Sequence, residues 1–168
     1  MEDRMPQFNR RKFLQTTSTA AAAGSVGVFS SQSVLRGNTP NERPKVAVIG
    51  CGGQGTGDGR RATNYGDIVA VCDVDTSHSS YAKAAYTRRM AMPGREVKID
   101  VYQDYRAIID RADIDAIICG TVDHWHIKIS AEALRAGKDV YCEKPLTLTV
   151  DEGRIISKVA SETDRILQ

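Results

Sequence analysis

At 168 residues the chain has room for one compact domain, so a two-domain enzyme does not fit within it. Hydrophobic residues at 41% and charged residues at 26% match an ordinary globular protein and argue against disorder throughout. The net charge of +2 leaves no electrostatic footprint for nucleic acid, and its excess sits at the front, where residues 1–44 hold six basic and three acidic side chains.

Residues 1–36 begin with a charged stretch that closes on Arg10, Arg11 and Lys12, followed by no charge from Phe13 to Leu35. This is the layout of a signal peptide. Its middle is Ala, Gly, Ser and Thr, too weakly apolar for a spanning helix. Arg10-Arg11-Lys12-Phe13-Leu14 is similar to a twin-arginine export motif, which predicts passage of the folded domain through the twin-arginine translocase to the periplasm or another extracytoplasmic compartment. Residues 37–44, GNTPNERP, read as a polar linker ended by Pro44.

From residue 45 strands and helices alternate. Lys45 to Ile49, Ile68 to Cys72, Ala116 to Cys119 and Val140 to Cys142 are short, β-branched runs suited to strands buried on both faces, with a weaker one at Val97 to Tyr102. Helical stretches fall between and after them: Gly53 to Tyr65, Thr76 to Met90, Tyr105 to Arg111, Trp125 to Ala136 and Val150 to Thr163. Asp104 is placed to cap one helix, Gly137 to end another, and Thr149 with Glu152 to form a capping box. The alternation predicts an α/β fold with a doubly wound, Rossmann-type parallel sheet over residues 45–168. Arg165 to Gln168 fall where a sixth strand would begin, and the domain is expected to be cut off there. Four cysteines, Cys51, Cys72, Cys119 and Cys142, lie in apolar runs without a CxxC and read as buried hydrophobes.

After the first strand comes Gly50-Cys51-Gly52-Gly53-Gln54-Gly55, a complete G-x-G-x-x-G opening a helix. Gly50 suits the tight turn, Gly52 lets the backbone approach a pyrophosphate, and Gly55 allows close packing of helix on strand. Asp73 closes the second strand, where a carboxylate accepts from ribose hydroxyls and repels a 2′-phosphate. NAD is the expected cofactor, ahead of NADP. No Lys-Ser or Lys-Thr follows the glycines, which excludes a P-loop.

Two further clusters stand at strand ends. Gly120-Thr121-Val122-Asp123-His124-Trp125-His126 follows the fourth strand and Glu143-Lys144-Pro145 the fifth. Ligands of open α/β sheets bind outside the carboxyl ends of strands, so both should share the crevice of the glycine loop. Thr121, Val122, His124, Glu143 and Lys144 are accordingly assigned to cofactor binding with Gly50, Gly52, Gly53, Gln54, Gly55 and Asp73. Lys144 and His126 are the candidates for catalysis, the ammonium as donor to a ribose or substrate hydroxyl. A zinc site from His124, His126 and Cys142 fits no ligand spacing, so no metal is expected. Trp125 reads as a packing residue or ring wall.

Together, GCGGQG after KVAVI, VCDVD, DYRAIID and TVDHWHIKISAEALRAGKDVYCEKP resemble the N-terminal domain of the glucose-fructose oxidoreductase and inositol dehydrogenase family, Gfo/Idh/MocA, from Lys45 to Gln168. The resemblance implies an NAD-dependent oxidoreductase of a sugar, polyol or cyclic alcohol, Lys144 near the nicotinamide ribose and substrate, and a homo-oligomer in the full-length form. It also implies a second, mainly β-sheet domain carrying the catalytic histidine, which is expected to lie outside these 168 residues. Exported members with twin-arginine signals agree with Arg10-Arg11. Val122 stands where the family usually has proline. Two alternatives accompany this reading: a glycosidase that uses NAD for transient oxidation, and a non-catalytic dinucleotide-binding fragment.

Overall fold

The central strands of the sheet are short and apolar because each is covered on two sides, as parallel strands are. In a computed structural model, which describes residues 43–168, β1 (Lys45–Ile49), β2 (Asp67–Cys72), β3 (Asp100–Tyr102), β4 (Ala116–Cys119) and β5 (Asp139–Cys142) form one parallel sheet in the order β3-β2-β1-β4-β5. The expected twin-arginine signal, and the expected linker up to residue 42, lie outside the described residues. Between the strands run α1 (Gly53–Ala62), α2 (Thr76–Met90), α3 (Arg106–Ile109) and α4 (His126–Arg135), and α5 (Val150–Glu162) follows β5.

Alternation along the strands splits the core into two layers. Ala47, Ile49, Ile117, Cys119, Val140 and Cys142 face α4 and α5, joined by Ile127, Leu134 and Ile156. Val46, Val48, Ile68 and Val71 face the other way, onto Ala82, Tyr86 and Met90 of α2. Main-chain bonds fix the next position in the sheet: Val140 N–H donates to Ile166 O at 2.8 Å, Gln168 N–H to Val140 O at 2.9 Å and Cys142 N–H to Gln168 O at 2.8 Å. Ile166 to Gln168 thus run beside β5 in the place of a sixth strand.

Punctuation in the sequence acts as read. Thr149 accepts from Glu152 N–H while the Glu152 carboxylate accepts from Thr149 N–H. Asp104 accepts from Arg106 N–H at 3.0 Å. Gly137 adopts φ +79°, and the bonds from Gly137 N–H to Leu134 O and from Lys138 N–H to Ala133 O close a Schellman motif. Several elements are shorter than expected, α3 among them at Arg106–Ile109. β3 keeps only Asp100–Tyr102 because it is an edge strand whose ladder reaches no further than Ala70–Cys72. α1 ends at Ala62, where Asn64 and Tyr65 bond three residues back in a closing turn. α4 starts at His126 because Asp123–Trp125 wind as a 3₁₀ turn.

Candidate dinucleotide site

Gly50 turns the chain out of β1 at φ +86°, and its N–H donates to Cys72 O at 2.8 Å. Three glycines are in mutual contact here. A Cβ on Gly50 would lie 2.5 Å from Gly120 C, one on Gly120 2.6 Å from Gly55 Cα, and one on Gly55 1.9 Å from Gly50 O. The loop, the first turn of α1 and the end of β4 therefore close on one another only without side chains. Gly52 and Gly53 differ: a Cβ on either would meet nothing within 4 Å. Their backbone faces open space at the N-terminus of a ten-residue helix with no side-chain cap and no acid in its first turn. Free N–H groups, the positive dipole end and an approachable backbone are what a pyrophosphate needs, so the chain fits a dinucleotide.

Asp73, just past β2, sits beside this loop. Its Oδ2 accepts from Cys51 N–H at 2.6 Å and its Oδ1 from Asp75 N–H at 2.9 Å, leaving further lone pairs on both oxygens. His78 Nδ1 is 3.7 Å from Asp73 Oδ2. Asp75 caps α2 by accepting from Ser77 N–H and Ser77 Oγ–H, which hold its carboxyl below the usual range.

The cluster after β4 divides between surface and core. Val122 and His124 are exposed, and Thr121 is half-buried. Val122 has φ −72°, within the range that a proline ring fixes at about −65°, so its backbone keeps the turn that proline makes. Trp125 meets Tyr105 edge-on with ring centroids 6.0 Å apart, a packing contact. His126 is only 1% exposed. Its Nδ1 lies 2.8 Å from Pro145 O and its Nε2 3.0 Å from Thr121 O, so the ring ties the end of β4 to the loop after β5 from beneath the crevice. Sequence reasoning grouped it with Lys144 for catalysis; its place is that of a positioning residue.

Lys144 is exposed at the end of β5 and, among the described residues, forms no ion pair. Glu143 turns the other way. Buried, it accepts from Gln54 Nε2 at 2.8 Å through Oε1 and from Lys144 N–H at 3.0 Å through Oε2. Gln54 likewise spends its side chain on Glu143 rather than on the open face. Asp58, one turn along α1, completes this group and was missed in the sequence; its spacing of four from Gln54 was the available signal. Burial first, then its hydrogen bond to Glu143, raises the Asp58 carboxyl, against Arg61 at 2.5 Å. The Gln54 amide first holds Glu143 below the usual range, against burial.

An open sheet with a glycine turn, an uncapped helix start and a carboxylate at the second strand end defines a dinucleotide-binding Rossmann domain. The profile of the Gfo/Idh/MocA oxidoreductase family, NAD-binding Rossmann fold, matches residues 44–168. The chain belongs to that family, and the described residues form its NAD-binding domain. It is 36% identical over 126 residues to inositol 2-dehydrogenase of Klebsiella pneumoniae subsp. pneumoniae, covering 73% of this chain and 35% of the relative. It is 28% identical over 165 residues to glycosyl hydrolase family 109 protein 2 of Shewanella sp. MR-4, covering 88% and 36%. The structure of myo-inositol dehydrogenase from Lactobacillus casei in complex with NAD(H) and myo-inositol superposes with a TM-score of 0.63 at 28% identity, over 75% of this chain and 36% of that one. The chain spans about a third of the length of these relatives.

Proposed function

We propose that this domain binds NAD in preference to NADP and serves an exported oxidoreductase that oxidises a secondary alcohol of a polyol or cyclic sugar. The observation that carries the reading is the open backbone of Gly52 and Gly53 beside the Asp73 carboxylate, with the Lys144 ammonium exposed at a neighbouring strand end. Gly52, Gly53 and the N-terminus of α1 would hold the pyrophosphate, and the free lone pairs of Asp73 the adenosine ribose. When bound, NAD supplies the hydride acceptor. Lys144 donates a hydrogen bond to the reacting oxygen and stabilises negative charge that develops there. His126, Gln54 and Glu143 hold the loops that carry Thr121 and Lys144, and a base outside the described residues takes the alcohol proton. The polyol class is supported by the inositol 2-dehydrogenases among the relatives.

Export through Arg10-Arg11 and a homo-oligomeric full-length form belong to the same reading. Changing both arginines to lysine is expected to leave the protein in the cytoplasm, and undiminished export would contradict the routing. A glycosidase with transient oxidation is the second reading, favoured by the glycosyl hydrolase family 109 relatives, whose similarity reaches over 88–95% of this chain. A chain extended to its relatives' length decides between them. Net formation of reduced NAD with myo-inositol or a related polyol supports the dehydrogenase; release of sugar from a glycoside without net reduction supports the glycosidase. Neither reaction with any polyol or glycoside would refute the proposal.

A further inference from the structure

His78, in the first turn of α2, stands beside the carboxylate assigned to the ribose. Its Nδ1 lies 3.7 Å from Asp73 Oδ2 at the end of β2, and its Nε2 lies 4.0 Å from Asp75 Oδ2 on the cap of its own helix. Both distances exceed a hydrogen bond, and the side chain is 53% exposed, so the ring keeps its polar atoms for another partner. The donors around it are engaged elsewhere. Ser77 spends its N–H and Oγ–H on Asp75, Gln103 Nε2 donates to Val74 O at 3.2 Å, and Arg60 of α1 donates to the Tyr81 hydroxyl at 2.9 Å. On the loop after β3, Asp104 is paired with Arg106 at 3.2 Å.

We propose that His78 is a second cofactor-selecting residue, which narrows the preference for NAD over NADP when its ring is protonated. The inference rests on the reading that this domain binds NAD through Asp73. Imidazoles gain their charge between about pH 8 and about pH 5, so the ring can act as a switch. Uncharged, it leaves Asp73 and Asp75 as two negative charges beside the ribose, and these repel the 2′-phosphate of NADP. Charged, it offsets one of them and donates an N–H to a phosphate oxygen, a charge-assisted hydrogen bond. The proton comes from solvent and stays on the ring. The ribose hydroxyls of NAD use only the free lone pairs of Asp73, so NAD gains little from the change. His78 lies five residues past Asp73, and only the turn into α2 brings its ring back beside that carboxylate.

Calorimetric titration of the 168-residue chain with NAD and with NADP, at about pH 8 and about pH 5.5, tests this. Between the two pH values the ratio of NADP to NAD affinity should rise about tenfold more in the parent than in His78→Gln, the size of one charge-assisted hydrogen bond. The 2′-phosphate itself changes charge near about pH 6, but that change is common to both proteins and cancels in the comparison. His78→Arg is charged throughout. Relative to NAD, it should bind NADP at about pH 8 at least as well as the parent does at about pH 5.5. Thermal melts at both pH values check that each variant folds, with His78→Asn replacing His78→Gln where it does not. NAD binding with the same pH dependence of the ratio in parent and variant overturns the role of His78 and leaves the cofactor assignment standing. No NAD binding at either pH overturns both.

Discussion

The carboxylate of Asp73 accepts the main-chain N–H of Cys51 at 2.6 Å, so the residue assigned to the ribose also braces the glycine loop. Asp73→Asn keeps one carbonyl acceptor but loses the charge on both bonds. It should lower stability by about 1 to 3 kcal/mol in urea denaturation, as loss of hydrogen bonds to a charged group does. Unchanged stability would show that the loop does not depend on this contact.

The glycine contacts separate packing from binding. Gly55→Ala would place a carbon 1.9 Å from Gly50 O and should cost roughly 3 kcal/mol or more, since backbone must move. Gly53→Ala meets open space and should leave the unfolding midpoint within about 0.5 kcal/mol of the parent while weakening NAD binding. Chemical denaturation of both variants, paired with cofactor titration of the second, checks this.

Asp58 and Glu143 give stability a defined pH dependence. Asp58 has its folded pKa raised, chiefly by burial, so the folded state holds a proton that the unfolded chain releases. Stability therefore falls as pH rises from the ordinary carboxyl value through the raised one. Glu143 is depressed and acts oppositely at lower pH, where its contribution is lost as pH falls through its folded value. Asp58→Asn keeps a hydrogen bond to Glu143 without needing a proton. In thermal melts it should be more stable than the parent at neutral pH, with the gap closing as pH drops into the carboxyl range; parallel pH profiles would contradict a raised Asp58 carboxyl.

Lys144 is exposed, so its loss should spare the fold. In a chain extended to its relatives' length, Lys144→Ala should lower kcat/KM on the order of 10²-fold, the effect of removing a positioned electrostatic or acid-base group. Kinetics beside a melting curve test this, and near-normal turnover would remove Lys144 from the chemistry.

The doubly wound parallel sheet and most elements were legible because buried β-branched runs alternate with glycine and aspartate punctuation, and β1, β4 and α2 fall at the bounds read from the sequence. The glycine loop and Asp73 were legible for a related reason: their chemistry is local to one βαβ unit. The remainder depends on contacts between distant residues. Glu143 points to Gln54, 89 positions away, so its side chain serves the scaffold, and nothing near Glu143 in the sequence indicates this. His126 reads as the exposed start of a helix until the 3₁₀ turn before it rotates the ring under Thr121 and Pro145. Asp58 is signalled in the sequence only by its spacing of four from Gln54, and its place beside Glu143 arises when α1 packs against the loop after β5.

The central claim is that this site takes NAD through Asp73, and calorimetric titration of the 168-residue chain with NAD and NADP tests it most directly. Val74 to Ser77 offer no Lys or Arg for a 2′-phosphate, and Asp75 adds negative charge beside Asp73. NAD should bind more tightly than NADP by about 1 to 3 kcal/mol, and Asp73→Ser with Val74→Arg should narrow or reverse the preference. Equal or tighter binding of NADP by the unmutated chain, or no binding of NAD at all, would contradict the account.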